Sequence, residues 1–107
     1  MKTICDRKDL VLYIADQIQL QHRFLSNAVK KKAIGLYAAR YMIIKKMLNN
    51  IEDHPHMDPV KILYHYAEEY EYSAKCATGN TAIIFEDIAV YLYELANTLD
   101  HFVVQDY

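Results

Sequence analysis

Apolar residues recur at steps of three and four along four successive stretches of the chain. The clearest stretch is 81–104, where Phe85, Ile88, Leu92, Leu95, Leu99 and Phe102 form an unbroken heptad seam. Such a seam marks a helix whose apolar stripe must be covered by other helices. Val11, Ile14, Ile18, Leu25 and Ala28 make a first seam, with Gln21 at its one polar position. An amide is costly to bury unpaired, so Gln21 is expected at the seam's edge, reaching water. Ile34, Tyr37, Tyr41, Ile44, Leu48 and Ile51 make a second seam, widened by Leu36, Ile43 and Met47. Val60, Leu63, Ala67, Tyr70, Ala74 and Ala77 make the third.

Boundaries come from cap and breaker residues. Asp6 or Asp9 suits the start of the first helix, where an acid meets free amides and the positive end of the dipole. Lys30, Lys31 and Lys32 suit its last turn, which puts a turn near residues 29–33. Pro55 and Pro59 forbid a continuous helix through 53–59, and Asp58-Pro59 reads as an N-cap followed by proline at the first helical position. Gly79-Asn80 closes the third helix, and Asn80 or Thr81 caps the fourth. The expected helices are therefore about 7–29, 33–52, 59–77 and 81–104. Short links between helices of this length predict one all-α domain over 1–107, an antiparallel up-down four-helix bundle, completed or extended by dimerisation.

Composition narrows the functional classes. With 107 residues, 53% hydrophobic and 24% charged, the chain is globular, and two glycines and two prolines leave little material for hairpins. Cys5 and Cys76 form no CxxC pair and are expected as free, structural thiols. The longest apolar stretch, 33–44, contains Gly35 and Arg40 and falls short of the roughly 20 residues a membrane span needs. Charges at Asp6, Arg7, Lys8 and Asp9 interrupt any signal-peptide core, so a cytoplasmic location and no membrane partner are expected. The net charge of −2 divides into +5 over residues 1–57 and −7 over 58–107. The two halves can complement each other within one bundle or across a dimer interface.

Candidate chemistry is sparse. His54, His56 and Asp58 share one loop but make an incomplete ligand set for a transition metal. Cys76 ends a helix, the wrong electrostatic end for an activated thiol. Lys30, Lys31, Lys32, Arg40, Lys45 and Lys46 form a basic run that a nucleic-acid-binding regulator would use to track phosphates. Glu68-x-x-Glu71 lies one turn apart on the third helix, and Asp87 follows on the fourth. This pattern resembles the MazG-type all-α nucleotide pyrophosphohydrolases, which set an E-x-x-E on one helix and an E-x-x-D on the next. The resemblance implies Mg²⁺ held by Glu68, Glu71 and Asp87 and hydrolysis of a nucleotide. Ile84 stands where that pattern has its third acid.

Ten tyrosines and no tryptophan are the most unusual feature of the composition. Tyrosine offers large contact area at low side-chain entropy and is enriched at interfaces. The leading expectation is a small, non-enzymatic protein–protein interaction protein without cofactors, an accessory or regulatory protein of a bacterium or mobile element. It would bind another protein or itself, as a homodimer, through Tyr64, Glu68, Glu71, Tyr72, Asp87, Tyr93 and Glu94. The Mg²⁺-dependent nucleotide hydrolase and the nucleic-acid-binding regulator are the alternatives.

Overall fold

The computed structural model describes residues 3–5 and 7–104. Four helices, α1 (Arg7–Asn27), α2 (Lys31–Asp53), α3 (Pro59–Cys76) and α4 (Gly79–Leu99), form an all-α bundle. They are framed by two short strands, β1 (Thr3–Cys5) and β2 (Phe102–Val104), which pair in parallel with Thr3 opposite Phe102. Asp6, offered above as a cap for α1, and the Cys5 thiol lie outside what is described.

The α3 start follows the predicted chemistry. Asp58 accepts a 2.9 Å hydrogen bond from the Val60 amide, with Pro59 at the first position. Three other boundaries differ from expectation. The helix α1 ends at Asn27, and the lysine run opens α2 instead of closing α1. Lys30 is the N-cap and makes no side-chain cap bond. Thr78, not Asn80 or Thr81, caps α4, and Gly79 bends the chain into the helix with φ +62°, a left-handed angle that suits glycine. Finally, α4 stops at Leu99 and not at residue 104. The Asp100 amide closes on the Ala96 carbonyl at 2.9 Å, and the aromatic and β-branched run Phe102-Val103-Val104 extends into β2. Phe102 therefore leaves the helical seam.

The helices pack closely as two antiparallel hairpins, α1 with α2 and α3 with α4. A third join is made by Arg7. Its guanidinium donates to the carbonyls of Ile51 (2.6 Å), His54 (3.0 Å) and Met57 (2.6 Å), holding the first helix to the proline-rich loop. Leu10, Ile14, Ile44, Met47, Ile51, Leu63, Leu92 and Leu99 are fully buried around this end.

The core fills one half of the bundle only. Among the described residues, every buried side chain lies within 10–21, 43–51, 59–67 or 88–99. None lies in 22–42 or 68–87, although these segments carry Phe24, Ile34, Tyr37, Tyr70, Ile83 and Phe85. In that open half each hairpin is zipped internally by rings. Phe24 meets Tyr37 at 5.4 Å, His22 meets Tyr41 at 5.5 Å, and Tyr70 meets Phe85 at 5.7 Å.

Candidate functional site

The heptad geometry of α3 and α4 sets Tyr64 and Tyr93 side by side on the outer face of their hairpin. Their ring centroids are 6.2 Å apart at 51°. The Tyr64 hydroxyl donates to the Asn97 side-chain carbonyl. The Tyr93 phenol is raised above its ordinary value by partial desolvation, by hydrogen bonding toward Glu71 and by the nearby charges of Glu71 and Glu68. Glu71 also reaches Lys75 one turn on, at 3.7 Å. Beside this pair lies a concavity of about 360 Å³ lined by Glu71, Ala74, Lys75, Glu86, Ala89, Val90 and Tyr93, and Val90 is 49% exposed. Glu68 borders a second, shallower hollow with His65, Glu69, Tyr72 and Ser73. Tyr72 is 70% exposed, and Glu94, next to Tyr93, faces solvent. Glu71 and Tyr93 thus share the concavity between α3 and α4, with Tyr64 against Tyr93, whereas Glu68 and Tyr72 border a hollow of α3 alone and Glu94 is exposed on α4.

Asp87 does not belong with them. Both of its oxygens are taken by Arg40 of α2, at 2.8 Å from Nε and 2.6 Å from a terminal nitrogen. This fork also stacks on aromatics, with the guanidinium carbon 5.6 Å from the Tyr37 ring centre and 5.5 Å from that of Tyr91. The Asp87 bond and charge raise the Arg40 pKa further, against the pull of burial. Asp87 therefore drops out of the expected contact surface, and Arg40 out of the expected phosphate-tracking run. Glu68, Glu71 and Asp87 form no joint ligand set, and no group of three metal-ligating side chains occurs among the described residues.

Around the same fork, Tyr91 donates to Gln17 at 3.3 Å. Burial pushes its phenol up to about 12, opposed by a bond from Gln21 and by the Arg40 charge and reinforced by Tyr13. Gln21 is 3% exposed, not at the solvent edge as its polarity suggested. Its Oε1 has no hydrogen-bond partner. The helical phase of α1 carries Gln21 inward, two turns on from buried Ile14 and on the same face.

The remaining cations are dispersed. Lys45 lies over the Tyr41 ring and Lys46 over the Tyr66 ring, at 5.2 and 5.7 Å, while Lys30, Lys31 and Lys32 are exposed at the opposite end of α2. Cys76 is a free, exposed thiol, not a packed one. His54 and His56 are exposed, with His54 Nδ1 on the Asn50 carbonyl at 2.8 Å.

No family model, curated protein or solved structure matches this chain. The short acidic pattern shared with the MazG-type enzymes thus has no whole-chain likeness behind it.

A further surface feature lies where two helices begin. Where α2 and α4 begin, they enclose a groove of about 450 Å³ lined by Lys31, Lys32, Gly35, Leu36, Asn80, Ile83 and Ile84. The available signal was Gly35, a glycine well inside an apolar helical seam. Among the described residues, no helix is long and apolar enough to cross a membrane.

Proposed function

We propose that this chain is a small non-enzymatic interaction protein of the cytoplasm, and that it binds another protein or a second copy of itself through the α3–α4 face. The observation that carries this reading is the Tyr64–Tyr93 pair. The Tyr64 ring is tied down by Asn97, and the Tyr93 ring is packed against it. Rings held in place before binding lose little entropy on contact, which is the property of an anchor. They stand beside exposed Val90 and a concavity of about 360 Å³, with Tyr72 projecting nearby. Glu68, Glu71 and Glu94 ring this apolar centre with negative charge, as a polar rim surrounds an interface core. Such a rim fits a partner with basic character, which the chain's own N-terminal half also has.

Light scattering after size separation tests the self-association arm. The reading expects a dimer that Tyr72→Ala and Tyr93→Ala weaken without altering helicity. A strict monomer whose alanine variants retain all binding to other proteins sinks the surface.

A further inference from the structure

The groove between the starts of α2 and α4 combines three local costs that the fold itself does not repay. Lys30, Lys31 and Lys32 sit at the N-terminus of α2, where the helix dipole disfavours cations. Gly35 sits inside the helix, where glycine is less favourable than alanine. A Cβ built on Gly35 meets nothing within 4 Å, so no internal packing requires glycine there. Ile83, at the groove wall, is 45% exposed, and Phe24, Val29 and Ile34 are exposed at the same end. When several local rules are broken together without internal compensation, the site is expected to serve function. Glycine in particular permits close approach of another backbone.

Charge selects the occupant. Over 22–37 and 74–85, the segments that build this end, the charged residues are Arg23, Lys30, Lys31, Lys32 and Lys75, with no acid. A symmetric contact with a second copy through this end would set like charges against each other. We infer that the groove receives an acidic amphipathic α-helix of a partner protein. Its apolar face would lie over Gly35, Leu36 and Ile83, with carboxylates beside Lys31 and Lys32, the helix-in-groove mode of recognition. This shares the reading of the chain as an interaction protein but uses a different surface from α3–α4, so either site can fail while the other stands.

The test is titration of the full chain with a labelled model peptide of roughly 14 residues, leucines at helical spacing and glutamates elsewhere. Saturable binding is expected, about tenfold or more weaker in Gly35→Leu, which fills the groove, and in Lys31→Glu with Lys32→Glu, which reverses its rim. Lys31 and Lys32 are exposed and a Cβ at Gly35 meets nothing within 4 Å, and circular dichroism checks that the variants fold. Several results overturn the inference: no saturable binding, equal binding of a scrambled peptide of the same composition, or binding that Gly35→Leu leaves unchanged. It is also overturned if Gly35→Leu abolishes tight binding to phosphatidylserine–phosphatidylcholine vesicles, which makes the occupant a lipid surface. A wild-type mass that rises with concentration and falls in Gly35→Leu overturns it in favour of a second copy.

Discussion

Arg40 and Asp87, 47 residues apart, join the two hairpins through a bidentate ion pair that is only part-buried on both sides. It lies at the border between the packed half of the bundle and the open half. Removing one member strands the other in a partly desolvated site. A fully buried pair would lose about 3–5 kcal/mol, and the exposure here reduces this, so Asp87→Asn is expected to cost about 1–3 kcal/mol. Replacing both, as Arg40→Met with Asp87→Leu, should recover most of that loss. Urea melts of the two singles and the double check this, and full additivity would show that the pair does not couple.

Gln21 presents the opposite case, a buried acceptor without a partner. An unsatisfied buried group costs about 1–3 kcal/mol, but the same side chain helps hold down the Tyr91 pKa and so interacts with that phenol. Gln21→Leu alone is therefore expected to be near neutral. Combined with Tyr91→Phe, it should exceed wild type by about 1 kcal/mol in chemical denaturation. A loss of stability in the double variant would mean that the polar cluster is net stabilising.

Tyr91 also sets an alkaline limit. Its folded pKa is raised from 10.0 to about 12, chiefly by burial. Below pH 10 the phenol is neutral in both states and its contribution is complete. Between about 10 and 12 the unfolded chain ionises first, so stability falls as pH rises, by up to about 1.4 kcal/mol per pH unit. Melts repeated across that window should show a shallower decline in Tyr91→Phe than in wild type.

Gly35→Ala should raise stability by about 1 kcal/mol, because alanine is the better helix former and its Cβ enters open space. Thermal melts measure it. Destabilisation would mean that the glycine is required by the fold, and the groove argument would lose its main support.

The four seams and the Asp58-Pro59 start were legible in the sequence because each depends on neighbours within one or two turns. The end of α4 was not, since Phe102 continues the helical spacing while its β-branched successors pair with a strand at the other end of the chain. Nor was the fate of Asp87. Its place in an acidic pattern suggested a surface, and only the packing of α2 against α4 brings Arg40 to it. The dipole rule favours the lysine run at a helix end, yet it begins one. The helical period puts Tyr64, Glu68, Glu71 and Tyr72 on α3 and Tyr93 and Glu94 on α4, but it does not reveal that Glu71 and Tyr93 share one hollow while Glu68 and Tyr72 border another.

Photo-crosslinking in producing cells, with a photoreactive phenylalanine in place of Tyr72, tests the interaction reading most directly. A discrete adduct of this chain with a protein, lost on Tyr93→Ala and on Glu71→Lys, is the predicted result. No adduct from that position, or an adduct indifferent to both changes, would contradict it.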